Sequence, residues 1–285
     1  MLYIFLSGIL WGTIGIFVNA LSSLGVSVPL MSFLRMLFAF IIMSSLALIK
    51  LGRKVFVIDA KTLLTCALLG LISQGAFNIF YSNSIKLNGV GVAAVLMYSA
   101  PVFTGIACRL IFHEKFSGLK LFALALNIIG CILTVTGGNF TANNISLAGI
   151  LYGLGSGFGY GMVAVFGKLA GQRTDAIIVS SYSYLFALIF LGIFTAPPVS
   201  YALGNAKILL TGFLYGLIPT SLAYLLYYNG LKKINNTSLA PVIASIEPVT
   251  AVIIGVIIYN EVIGMINLTG FAIVLISIII IIRTQ

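Results

Sequence analysis

The chain has 285 residues, 61% of them hydrophobic and only 7% charged, with a net charge of +10 and a mean hydropathy of +1.19. A water-soluble domain carries roughly 25% charged residues to hydrate its surface, so a soluble fold is excluded and lipid is the expected solvent. The positive balance is no nucleic-acid signature, because the lysines and arginines are scattered over short loops without interleaved aromatics.

An apolar helix of about 20 residues crosses a bilayer. Ten such stretches follow one another: 3–21, 29–49, 62–84, 89–112, 118–137, 146–168, 177–196, 208–229, 238–259 and 263–282. The first has no basic leader and no small-residue cleavage site, and it holds Trp11 among glycines. It is therefore expected to remain as the first span and not to act as a signal peptide. The second carries Arg35 about two turns from its start. Arg35 can snorkel outward or pair with a helix C-terminus, or it can hold a substrate carboxylate. In the third span Gln74, Asn78 and Tyr81 fall on one face. A short connection at Asn88 leads to the fourth, which contains Tyr98, Ser99 and Pro101.

The sixth span contains the glycine-rich run Gly153 to Gly161, which includes Tyr160. No strand precedes it, so a nucleotide-binding loop is rejected; Gly153, Gly157 and Gly161 form a ridge for close helix packing, as do Gly8 and Gly12. Tyr224, Tyr227 and Tyr228 lie in the eighth span, the last two near its end, where an interfacial belt is expected. The ninth holds Ser245, Glu247 and Pro248. Glu114 and Glu261 sit in the turns before the fifth and tenth spans and are expected to cap them.

Lys50, Arg53, Lys54, Lys61, Arg109, Lys115, Lys120, Lys168, Arg173, Lys232, Lys233 and Arg283 fall in or beside alternate loops, whereas Lys86 and Lys207 fall beside the others. This bias predicts a multi-pass protein of the cytoplasmic membrane with both termini in the cytoplasm. Cys66, Cys108 and Cys131 lie in apolar stretches and His113 is the sole histidine. No metal site, cofactor or disulfide framework is expected. Asn139-Phe140-Thr141 and Asn144-Ile145-Ser146 match the glycosylation acceptor pattern on the external side.

The chain also repeats itself. Pro101 and Pro248, and Glu114 and Glu261, are separated by the same 147 residues, and Leu68, Gly70, Tyr81, Asn83 and Lys86 return one position closer as Leu214, Gly216, Tyr227, Asn229 and Lys232. Residues 1–137 and 146–285 therefore form two five-helix repeats. An odd number of spans per copy makes them inverted, an architecture in which solute binds near the midplane between broken helices.

The segments Ser99-Ala100-Pro101-Val102 to Glu114-Lys115 and Ile246-Glu247-Pro248-Val249 to Glu261-Val262, with Trp11-Gly12 and Arg35, carry a likeness to a known group. The chain resembles the drug/metabolite transporter superfamily, and within it the EamA-type carriers, over essentially its whole length. That resemblance implies ten helices, a central cavity and transport of small metabolites, often outward.

Glu247 is the sole carboxylate deep inside a span. Such a charge costs about 2.5–3.5 kcal/mol at the bilayer centre, so it needs a cavity or a partner. Two readings are open: a proton-coupling or cation-binding group, or a structural hydrogen bond shaping the Pro248 kink. Trp11, Gln74, Asn78, Tyr81, Tyr98, Ser99, Tyr160, Tyr224, Ser245 and Glu247 are the candidate substrate contacts, with Pro101 and Pro248 as hinges. For the aromatic residues helix packing is the competing reading.

The expected function is secondary active transport of a small neutral or zwitterionic solute such as an amino acid, by alternating access and with proton-coupled export. The alternative is a small organic cation held by an aromatic cage and Glu247. No P-loop and no clustered nucleophile, base or acid pair supports an enzyme. Expected partners are the solute, protons and membrane lipid, with monomer and homodimer both open.

Overall fold

The computed structural model describes residues 1–138 and 145–283, apart from the Lys54 side chain. Asn139, Phe140, Thr141 and Asn144 of the two acceptor triplets lie outside the described residues. Regular structure among the described residues is helical throughout, with no strand. In chain order the elements are α1 (Leu2–Ser23), α2 (Val28–Leu51), α3 (Ala60–Met97), α4 (Ala100–Ile111), α5 (Gly118–Thr136), α6 (Leu147–Gly171), α7 (Ala176–Thr195), α8 (Ala206–Lys232), α9 (Thr237–Tyr259) and α10 (Met265–Arg283). Nine of these are long and apolar enough to cross a membrane, and α4 is a shorter apolar helix. Ile49, Leu110, Ile193 and Ile257 stand exposed on the outside, as a lipid-facing surface requires.

The longest helix is not one rod. Gly89 interrupts α3 with φ 80° and ψ 164°, a conformation that a residue with Cβ rarely adopts. Ser84 and Leu96, on either side of it, both pack against Gly153 of α6. The chain thus reverses beside the Asn88 connection that the sequence places there. The Asn88 amide ties this corner to Ser146 before α6 through bonds of 2.8 and 3.2 Å.

Pro101 and Pro248 do not sit in continuous helices, as the sequence reading has them. Tyr98 and Ser99 break the path into α4, and Ser245 (ψ 4°) breaks α9. Each proline occupies the first turn of the segment that follows, where a missing N–H removes no hydrogen bond. The carbonyls at the breaks meet bare glycines. A Cβ at Gly157 of α6 would fall 2.8 Å from the Leu96 oxygen, and one at Gly8 of α1 would fall 2.5 Å from the Ala244 oxygen. The glycine ridges thus serve close packing.

Two further features come in pairs. A π-helical segment, Leu69–Ala76, interrupts α3, and another, Leu217–Leu222, interrupts α8. Beside them Gly70 packs on Ser183 and Ala187 of α7, and Gly216 on Arg35 and Ala39 of α2. His113 and Asn260 both adopt positive φ, 55° and 54°, and the following Glu114 and Glu261 amides donate back to the Cys108 and Gly255 carbonyls at 3.3 and 3.2 Å.

Many of the basic residues gather at one end of the bundle, where they are tied to backbone. Lys168 Nζ donates to the Leu231 and Ile234 carbonyls at 2.7 Å each. Lys232 Nζ donates to Thr174, and Arg173 faces Asp59 at 3.7 Å. Glu114 belongs to this end but does not cap α5, whose N-cap is Ser117. Its carboxylate instead accepts from the first amides of α9. Glu261 stays exposed over its own helix, near Gly255.

Candidate substrate-binding site

The break in α9 puts Glu247 in the first turn of the segment Ile246–Tyr259, where unsatisfied N–H groups and the positive end of the dipole favour a carboxylate. The Tyr160 hydroxyl of α6 donates to Glu247 Oε2 at 2.5 Å. Trp11 of α1 lies beside this pair, its ring 6.0 Å from Tyr160, 5.1 Å from Tyr224 and 5.0 Å from Tyr227. Phe77 of α3 stacks on Tyr160 and on Tyr81, each at 5.9 Å. Glu247, Tyr160, Phe77 and Tyr81 are half-buried, while Trp11 and Tyr224 are buried. The carboxylate is therefore partly exposed and backed by aromatic rings.

Tyr98 joins this group, packed with Ile246 and Val249 near Tyr81 and Tyr160. The other polar candidates are dispersed. Gln74, in the π segment of α3, donates to the Tyr228 hydroxyl at 3.3 Å, and its Oε1 has no partner among the described residues. Asn78 donates to the Gln74 carbonyl and accepts from Ser32 at 3.3 Å. Ser99 is turned toward Gly157 and donates to its own helix at Leu96. Ser245 accepts from Asn127 of α5 at 2.6 Å, and Asn127 also reaches Ser277 of α10 at 2.9 Å. Ser99 and Ser245 are thus engaged in helix contacts. Asn127 is a buried polar hub that sequence reasoning misses, because a single asparagine in an apolar helix carries no local sign of its partners.

Two expectations are corrected here. Tyr227 and Tyr228 are no interfacial belt: both are buried, one against Trp11 and the other bonded to Gln74. Arg35 neither snorkels nor meets a helix C-terminus. It is 6% exposed, donates to Asn78 Oδ1 at 3.4 Å and to the Tyr215 hydroxyl at 3.5 Å, and lies 5.3 Å from the Tyr215 ring centre. Tyr215 and Tyr184, which packs edge-on to Tyr224, are further aromatic members that only the fold reveals.

The EamA-like transporter family model matches this chain twice, over residues 1–136 and 147–283. The chain belongs to that family. This EamA-like protein is 29% identical to an uncharacterized transporter of Archaeoglobus fulgidus, over 97% of this chain and 94% of the relative. It is 24% identical to the uncharacterized inner membrane transporter YicL of Salmonella typhimurium, over 99% and 94% of the two chains. A protein of known crystal structure has the same fold, with a TM-score of 0.81 across 100% of this chain and 98% of the other at 14% identity. The protein is thus a multi-pass membrane transporter.

Proposed function

We propose that this protein is a secondary active carrier that moves a small neutral or zwitterionic metabolite, such as an amino acid, by alternating access and in exchange for protons. The observation that carries this reading is the half-buried Glu247 carboxylate bonded to Tyr160 beside a cluster of aromatic rings. A carboxylate placed there can hold a proton or a solute ammonium group but not both, which is the elementary requirement for exchange. In this reading the chain crosses the membrane ten times as two inverted halves, with the reversal at Gly89 separating the third crossing from the fourth. The paired π segments, paired breaks and paired positive-φ turns support that symmetry. The basic end, with both termini, faces the cytoplasm.

Alternation draws support from the one pair that is unequal. Glu114 is locked onto α9, whereas Glu261, in a turn of the same shape, engages no helix start. The symmetric target of Glu261 is Val90-Gly91, and both residues are exposed. The molecule is accordingly read as sealed at the basic end, with the Glu261 end released. Rocking about the breaks before Pro101 and Pro248 would exchange the two.

Reconstitution in liposomes tests the proposal. Counterflow of an amino acid is expected for wild type and for Glu247→Gln, with accumulation driven by a proton gradient in wild type alone. The absence of any solute movement would sink it. A second reading, an organic cation, is favoured by the three tyrosine rings around Trp11. It requires that Glu247→Gln abolish binding as well as coupling.

A further inference from the structure

Arg35 is a buried cation with poor company. Its two hydrogen bonds, at 3.4 and 3.5 Å, are long and go to neutral groups, and Nε has no partner among the described residues. A guanidinium offers five donors in a planar fork. Burying it without a carboxylate or phosphate forgoes the pairing that normally offsets desolvation. Of the five acidic residues in the chain, only Glu247 lies within a helix away from the ends, and it is bonded to Tyr160. Glu247 acts on Arg35 only through longer-range electrostatics, and no carboxylate among the described residues hydrogen-bonds or ion-pairs with it.

Asn78 connects Arg35 to a cleft of about 230 Å³ between α2, α3 and α7. Its polar lining comprises Ser32, Asn78, Ser82, Asn83, Thr195 and the exposed Lys86. No carboxylate is among the residues lining it. The Nε and Nη2 hydrogens of a guanidinium share one edge, and here Nη2 is the atom that reaches Asn78 Oδ1. The edge with the unused donor is thus the one beside Asn78; Arg35 itself does not line the cleft, and the Asn78 side chain stands between the two. Lys86 adds a second positive charge at the mouth, where it can draw an anion inward.

We propose that this cleft receives the carboxylate of the transported solute, with Arg35 as the group that grips it and Lys86 as the outer attractor. The inference rests on the carrier reading above and narrows it: the solute is an acid, so an amino acid fits and a simple amine does not. Arg35 engages the carboxylate through the Nε–Nη2 edge, displacing the weak Asn78 contact, in the two-pronged geometry that guanidinium and carboxylate share. The positive and negative ends of a zwitterion then fall to different halves of the protein, ammonium toward Glu247 and carboxylate toward Arg35.

The experiment has two arms on the purified full chain. In the first, thermal shift is measured with each of the twenty amino acids, with the C-terminal amide and the decarboxylated amine of each, and with a set of quaternary ammonium compounds. The acid is expected to bind about tenfold or more tightly than its amide, and Arg35→Gln to erase that preference while leaving the weaker amide binding intact. Equal binding of acid and amide to wild type would overturn the proposal without touching amino-acid transport. A panel in which only amines and quaternary ammonium compounds bind would overturn both.

The second arm needs no ligand. Asn78→Asp places a carboxylate beside Arg35, and is expected to be better tolerated in wild type than in Arg35→Gln and to remove the acid-dependent shift. Because Asn78→Asp also loses the bond to the Gln74 carbonyl, the same change is made in Arg35→Gln; if its effect on melting temperature is the same in both backgrounds, Arg35 does not seek an anion and the proposal fails.

Discussion

Glu114 and Ser238 are joined across the two matched segments of the chain: the serine hydroxyl donates to Glu114 Oε2 at 2.5 Å, and its amide donates to the same oxygen at 3.1 Å. The Thr237 amide donates to the other oxygen at 2.5 Å. A turn that follows α4 thereby caps the first turn of α9, meeting its unsatisfied amides with a full negative charge.

Glu114→Ala should therefore lower stability by about 1–2 kcal/mol, the usual value of a lost cap. Glu261→Ala, which removes an exposed carboxylate with no hydrogen bond to a helix start among the described residues, should leave the melting temperature nearly unchanged. Thermal unfolding of the two variants in the same detergent makes the comparison. If the carrier reading holds, Glu114→Ala should also admit impermeant thiol reagents to cysteines placed at the basic end more quickly than wild type does.

The close approach of α1 to α9 gives a second expectation. Gly8 leaves no room for a Cβ beside the Ala244 oxygen, whereas Gly91 has no neighbour within 4 Å. Gly8→Ala should cost about 1–3 kcal/mol through overpacking. Gly91→Ala, in an exposed helical turn, should be neutral or stabilising by about 0.5–1 kcal/mol. Equal melting temperatures for the two variants would contradict the packing.

Trp11 supports three tyrosines at once. Trp11→Ala should destabilise by about 3–5 kcal/mol, the range for emptying a large aromatic site. Trp11→Phe should retain most of the stability and the solute-dependent thermal shift, since an aromatic face remains. Loss of that shift with the fold intact would instead assign Trp11 a specific contact with solute.

Asp59 lies outside the spans, as the N-cap of α3, and its sign is clear. The Thr62 hydroxyl, then the Thr62 amide, hold its carboxyl below the ordinary value of 3.8. A carboxyl depressed on folding adds stability that is complete above its unfolded pKa and is lost as pH falls through the folded one. The difference in melting temperature between wild type and Asp59→Asn should hold constant at neutral pH and shrink only in acid below that ordinary value. A difference already fading near pH 6 would point to another group.

Much of this molecule can be read from local composition. Hydrocarbon excludes unpaired backbone polar groups, so long apolar stretches become helices wherever they lie in the chain. The positions of α1 to α10, the reversal next to Asn88 and the disturbance near each proline follow from a few consecutive residues. Side-chain partners do not. Ser99 and Ser245 stand beside Tyr98 and Glu247 in sequence, yet they face neighbouring helices, because a break of one or two residues resets the rotation of everything after it. The same rotation, together with the π segments, turns Tyr227 and Tyr228 inward.

The sequence by itself determined a membrane-embedded, all-helical transporter with an internal repeat and a lone carboxylate in its ninth span. Only the tertiary structure decided that this carboxylate meets Tyr160, that the buried Arg35 meets Asn78 and that Glu114 reaches α9. Those relationships join residues separated by 87, 43 and 124 positions. The relative rotation and depth of packed helices set them, and helical periodicity alone leaves both undetermined.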